Sequence, residues 1–384
     1  MHFLPRLWWR PIVAGLVALV GAVAAPAVAS AAQSHQAGFV YVNDNAAGTN
    51  TVAGFARQAD GRLTPLAGSP FNAGGAGTGS GLASQGAIQV TSDGRYVIAA
   101  DAGSNQISVL RIHHDGGLRP VPHGVVSSGG STPVSIAEHD GLVYVANAGP
   151  GGSNYTGFEL SGGGHLRPLG GSTVALPDNA QPGDVLFNST GTNLIATRVG
   201  SSLIDSFSVG RDGRLSAAAG SPFAAQGPGP FGSEFRPTDS SQLFVSNAHG
   251  PAGQGTVSAF SVALDGALSS IGASPFADLQ TAPCWVEITH DGEFLFTVNT
   301  ASGSISRYSI ARDGTLTLLG STQVSSQSGV GAVDARLSTD GRTLYVDESG
   351  VGAVGEFDVQ GGELTELGSA SLPAGAAAAG VAAR

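Results

Sequence analysis

The sequence predicts an all-β fold, a seven-bladed β-propeller of four-stranded antiparallel blades whose ring is closed by the C-terminal strand. Three observations carry that expectation. Turn motifs recur with a period near 50 residues, the signature of propeller blades. Apolar residues alternate in short runs, with no window at helical spacing. The first strand cluster, Phe39 to Asp44, has no inner strand before it, whereas the tail, Leu372 to Ala383, resembles an inner strand with no blade after it.

Residues 1–29 have the order of a secretory signal. Arg6 and Arg10 supply a positive start, Ile12 to Val23 an apolar run, and Ala27-Val28-Ala29 the small residues read by a signal peptidase. The run is short for a membrane span, which needs about 20 apolar residues. The expected product is secreted or extracytoplasmic, without stable membrane insertion, and monomeric. A linker is expected over residues 30–37 and one propeller domain over 38–384. Cys284 is the only cysteine, so no internal disulfide is possible.

The repeat unit is clearest between Ala282 and Gly320: APCWVEIT, HDGE, FLFTVN, TASG, SISRYSI, ARDG, TLTLLG. Its first turn recurs at Asp93, Asp140, Thr190, Asp239, Asp291 and Asp340, in steps of 47 to 52 residues. Asp-Gly provides the positive φ that tight hairpins require. The strands after these turns, such as LVYVAN, LFVSN and TLYVD, read as half-buried or buried. Six complete units plus one composed from both chain ends make seven.

Charge is sparse and negative. The chain has 17 Arg, no Lys and 28 acidic residues. Nucleic acid is therefore not an expected partner, since it requires clustered positive charge. Scattered His and one Cys give no metal-ligand spacing, and no cofactor or metal is expected. Cys284, at the start of an inner strand, reads as a buried small hydrophobe.

In a propeller, inner strands line a central channel, and the loops between second and third strands meet at one mouth. That mouth is expected to collect Asn43, Asp44, Asp101, Asn147, Arg198, Asn247, His249, Asn299, Asp347 and Glu348. Inner strands add Asp184, Glu234, Glu287, Asp334 and Arg336. A buried unpaired charge is costly, so these must face the channel, water or a partner charge, with Asp334 and Arg336 a candidate pair. They are either solvated channel residues or a small-molecule site. Two longer loops, Ala148 to Asn154 and Ala248 to Gly255, are placed for recognition. The Gly-rich run Asn72 to Gly86 lacks the ending of a phosphate loop and reads as a flexible blade connection.

The unit, Pro-x-x-apolar followed by Asp-Gly, an apolar strand ending in Asn, and a second Asp-Gly-x-Leu, resembles the repeat of the lactonase and carboxymuconate cyclase-like seven-bladed propellers. The resemblance spans about Gly38 to Arg384. It implies lactone hydrolysis or cyclisation, yet the positions carrying that chemistry differ. Where the family's enzymes have Pro-Arg-His, this chain has Pro230-Phe231-Gly232. Their Asn-Glu is Asn247-Ala248, their later Asn-Arg is Asn299-Thr300, and a His-rich start is Gln181-Pro182-Gly183-Asp184. A lactonase needs a base and a cation for the developing oxyanion. The substitutes within reach are Glu234 or Asp184 as base, Arg198 or Arg336 as oxyanion partner, and His249. The stretch from Phe276 to Trp285 is expected to make the mouth aromatic. The reading favoured is binding of a small molecule or an extracellular partner at that mouth; the alternatives are a rearranged lactone hydrolase or cyclase and a cell-surface scaffold.

Overall fold

The computed structural model describes Met1, His2 and residues 36–324 and 331–384; the expected signal segment falls outside these. Seven antiparallel sheets form the ring. Their inner strands are Val381–Ala383, Ile88–Val90, Pro133–His139, Pro182–Phe187, Pro230–Arg236, Pro283–Ile288 and Val333–Leu337, taken here as blades one to seven. Blade one is composite. Val381–Ala383 pairs with Gln36–Asn43, matching Val42 with Val381 and Val40 with Ala383. Backbone bonds extend the seam, from Ala377 N to Asp44 O at 2.9 Å and from Arg384 N to Phe39 O at 2.8 Å.

The turns form for the reasons the sequence suggests. In blade two, Asp93 Oδ1 accepts bonds from Thr91 Oγ1 (2.7 Å) and Arg95 N (3.0 Å), and Gly94 takes φ 67°. Asp291 and Gly292 repeat this in blade six, with Thr289 Oγ1 at 2.6 Å and φ 71°. The Asp239 turn manages without glycine, as Arg236 pairs directly with Asp239.

Blades bury their faces against each other and are stitched at fixed places. The second-strand tyrosine of one blade donates to a glycine carbonyl in the outer hairpin of the next. Tyr41 reaches Gly116, Tyr96 Gly162, Tyr144 Gly213 and Tyr345 Gly61, at 2.8 to 3.0 Å. The last of these joins blade seven to blade one. Where no tyrosine stands, Ser206 Oγ to Gly266 O (2.6 Å) serves between blades four and five. The outer strand of blades one, four and five is broken by a Ser-Pro-Phe turn. Its serine, Ser69, Ser221 or Ser274, caps an amide of the third strand at 2.7 to 3.0 Å. Phe276 belongs to such an outer strand and packs in the interface between blades five and six, so it does not add to the mouth as the sequence suggested.

Candidate functional site

Most of the polar residues expected at the mouth are engaged within their own blades. In five of the blades the residue ending the second strand bonds to a side chain seven positions later, at the start of the third strand. Asn50 Nδ2 donates to Asn43 at 3.0 Å, Asn147 donates to Asn154 at 2.9 Å and Asn299 donates to Ser306 at 2.8 Å. Ser108 donates to Asp101. Asn247, before a longer loop, reaches Ser258 at 2.8 Å instead. Arg198 makes a two-point pair with Asp205 (2.5 and 2.6 Å), which also accepts from Tyr155. With its guanidinium so held, Arg198 is a blade-internal tie. His249 is exposed at the rim beside Gly229. The two longer loops are tied to neighbouring connections, Gly151 N to Asp178 and Gly253 N to Thr281.

The Gly-rich run is not a slack connection. Its end, Leu82 to Gly86, crosses the channel as a strap. Ser84 Oγ donates to Val134 O of blade three at 2.7 Å, and Gln85 N to Gly183 O of blade four at 2.9 Å. Gln85 Nε2 donates to Ser233 O of blade five at 3.0 Å, and Val286 N of blade six donates to Gln85 Oε1 at 3.0 Å. Trp285 Nε1 completes the fastening by donating to Ser84 O at 2.8 Å. Composition hid this, because Gly and Ser runs read as flexible unless their backbone partners are known.

Gly232 makes the crossing possible. A Cβ there would lie 2.1 Å from Gln85 Oε1 and 2.7 Å from Cys284 O. The position where the resembling enzymes carry an imidazole is thus occupied by the strap. Phe231, in place of their arginine, packs edge-on against Trp285 with ring centroids 5.2 Å apart.

At the mouth, beside the strap, is a cavity of about 250 Å³, lined by Leu82, Phe231, Cys284, Trp285, Val333 and Ala379 among others. Thr300 gives it a polar edge. Among the described residues, no carboxylate, guanidinium or imidazole lines it. Burial pushes the Cys284 thiol up to about 11, so it is a neutral group at ordinary pH and no nucleophile.

The inner strands carry acids deeper in the channel, and on blades five and six Glu234 and Glu287 lie two or three residues past the cavity, about 7–10 Å at strand rise. Asp184 accepts from Ser135 Oγ (3.2 Å), Ser233 N (3.0 Å) and Ser233 Oγ (2.6 Å). Glu287 Oε1 accepts from Leu337 N (3.0 Å), and its Oε2 lies 3.4 Å from Arg336 Nη1. Arg336 therefore answers Glu287 across the blade interface rather than forming the expected pair with Asp334. Asp334 instead accepts from Ala335 N (2.8 Å) and Val381 N (3.2 Å). Glu234 Oε2 has no partner among the described residues. Burial raises Asp184 to about 7 and Asp334 to about 6. Burial and the Glu287 charge hold Glu234 well above its usual range, against the pull of Arg336. The structure thus unites Asp184, Glu234, Glu287, Asp334 and Arg336, and leaves Arg198 and His249 outside that group. Asp44, Asp347 and Glu348 form a separate acidic group where blade seven meets blade one.

A family model described as "Lactonase, 7-bladed beta-propeller" matches residues 32–169 and 195–378. A search of curated proteins gave no match. Among solved structures, the chain is similar to a candidate 6-phosphogluconolactonase of Bacteroides fragilis, at 18% identity and TM-score 0.72, covering 90% of this chain and 98% of that one. A counterpart from Bacteroides uniformis gives 17% identity and TM-score 0.73, with 91% and 100% covered. The periplasmic gluconolactonase of Pseudomonas aeruginosa gives 15% and 0.71, with 90% and 98% covered. At these identities the likeness is one of fold.

Proposed function

This chain belongs to the seven-bladed lactonase β-propeller family, and from that premise we propose that it binds a small uncharged molecule at the mouth of its channel and does not hydrolyse phosphorylated sugar lactones. The observation that carries the reading is the strap. Gln85 fills the space beside Gly232 and lies between the mouth cavity and the acids of the channel. A ligand in the cavity meets Trp285, Phe231, Leu82 and Val333, with the Thr300 hydroxyl for one hydrogen bond. A volume of about 250 Å³ is below the range of drug-sized sites, about 300–1,000 Å³. The fitting class is a compact, largely apolar ring compound bearing one hydroxyl or carbonyl. A phosphate or carboxylate meets no cation among the described residues lining the cavity, and burying its charge there unpaired is costly.

We assign the protein to the extracytoplasmic space on its N-terminal sequence, where the Arg6–Arg10 start, the apolar run and Ala27-Val28-Ala29 stand in signal order. Cleavage there removes Trp8 and Trp9 and leaves Trp285 as the sole tryptophan. Fluorescence of the processed chain therefore reports on the cavity alone. Titration with neutral ring alcohols, ketones and unphosphorylated lactones should give saturable changes, weakened in Phe231→Ala. The opposing result is turnover of 6-phosphogluconolactone at roughly 1–1,000 per second, abolished in Glu234→Gln; it would install the lactone hydrolase reading.

A further inference from the structure

Blade seven departs from the tie that the other blades share. In blades one to six the residue ending the second strand bonds to a polar side chain opening the third. In blade seven that residue is Glu348, and seven positions on stands Gly355, which has no side chain to offer; next to Glu348 stands Asp347, paired opposite Val354. Asp347 is fully buried, and neither carboxylate oxygen has a partner among the described residues. Across the seam, Asp44 is buried too; its Oδ2 accepts from Thr51 at 2.6 Å and its Oδ1 has no partner.

These acids flank the tail that closes the ring. Ala377 N donates to Asp44 O (2.9 Å), Asn43 N to Gly380 O (3.2 Å) and Val381 N to Asp334 Oδ2 (3.2 Å). Among the described residues, the charged groups acting on Asp347 are acidic: Asp334 from the inner strand, Asp44 from blade one and Glu348 beside it, with the Gly380 amide offering partial compensation. Glu348 faces Glu366 of the outer strand. Arg336, the nearest inner-strand cation, is paired with Glu287. Two ionised carboxylates at this depth without a counter-ion cost several kcal/mol, so something must neutralise them. Among the described residues no three acidic, His or Cys side chains are grouped as metal ligands, which favours protons over a metal ion.

We propose that the ring-closing seam is a proton-operated latch: Asp44 and Asp347 hold protons in the closed ring, and their ionisation loosens the C-terminal strand. The direction of their titration agrees, since burial raises Asp44 to about 7 and lifts Asp347 well above its usual range. The latch is full below the ordinary carboxylate range and weakens as pH rises through these raised values.

Hydrogen exchange of the purified protein tests it, read on peptides covering residues 372–384 and 39–44 and corrected for intrinsic rates. Tail protection should fall about tenfold or more between pH 5.5 and pH 8.5 while the blade-three strands stay protected. Asp347→Asn, which keeps the shape without the charge, should retain tail protection at pH 8.5, and Asp44→Asn should do so in part. Asp278→Asn, at a buried carboxylate between blades five and six that accepts from Tyr308 Oη at 3.1 Å, should leave the tail's pH response unchanged. Equal protection at both pH values overturns the proposal, as does a response in Asp347→Asn equal to the parent's. Full protection restored at pH 8.5 by millimolar Ca²⁺, and removed by chelation, also overturns it in favour of a cation.

Discussion

The mouth cavity and the acid chamber share three inner strands and differ in almost everything else. On the strand of blade five, Phe231 lines the cavity and Glu234 the chamber; on blade six the same division falls between Trp285 and Glu287, and on blade seven between Val333 and Arg336. The cavity is apolar, with no charged side chain among its described lining residues. The chamber concentrates four carboxylates around one guanidinium. A single strap residue, Gln85, stands between them, and it is admitted because Gly232 has no side chain. A propeller strand presents successive residues to different depths of the channel. Gly232, by admitting Gln85, therefore parts the mouth from the acids beneath it.

The largest expected effect comes from removing what both regions lean on. Ala378 to Gly380 wall the cavity, and Val381 N serves Asp334 in the chamber. Deleting residues 372–384 should lower the thermal midpoint by more than about 10 °C, since each kcal/mol lost shifts a domain of this size by about 2–4 °C. An unchanged midpoint would mean the ring holds without its closing strand. Next in size is Gly232→Ala, whose Cβ meets Gln85 and the Cys284 carbonyl. It should cost about 1–3 kcal/mol as overpacking and shift the Trp285 emission to the red as the strap is displaced. If stability and emission both hold, the strap is not what Gly232 accommodates.

Gln85→Ala leaves Val286 N and Ser233 O without their partner and should cost about 1–2 kcal/mol in urea unfolding. It should also merge the two regions, so that ligand affinity becomes pH-dependent where the parent's is flat. The smallest effect is on the slope of stability with pH. Asp184 and Asp334 have raised values, about 7 and 6, so the folded state holds protons that the unfolded chain releases. Their contribution is complete below about pH 4, declines as pH rises from about 4 to 7, and is constant above. Urea midpoints measured over that range should fall with rising pH, and less steeply in Asp184→Asn. A rise instead would show that these carboxylates are stabilised by partners as anions.

The fold was legible because it is repeated: each Asp-Gly turn and each apolar strand stands several times in the chain, and the tail's role follows from the missing strand before Phe39. The channel acids were legible for the same reason, being charges set into apolar strands. What the sequence could not reveal was long-range pairing of small residues. Asn147 and Asn299 look like open ligands until the residues seven positions later are seen to hold them. The strap looked slack because its fastening is mostly to backbone of blades three to six, which no local pattern encodes. Arg198 looked available because Asp205 sits on the next strand rather than the next turn. The Gly355 that leaves Glu348 unmatched becomes informative only against the six blades that keep the rule.

The pairing of Gln36–Asn43 with Val381–Ala383 also sets a schedule. The earliest strand of the propeller to be made waits for Val381–Ala383 before its inner edge is covered. Until then it presents Val40, Tyr41 and Val42 along an open strand, a template for any other extended chain. Contacts of such sequence separation form slowly. A chaperone that holds the nascent chain, or transit across a membrane before folding, would shield that edge through the wait, and a stop anywhere before Val381 would leave it bare for good.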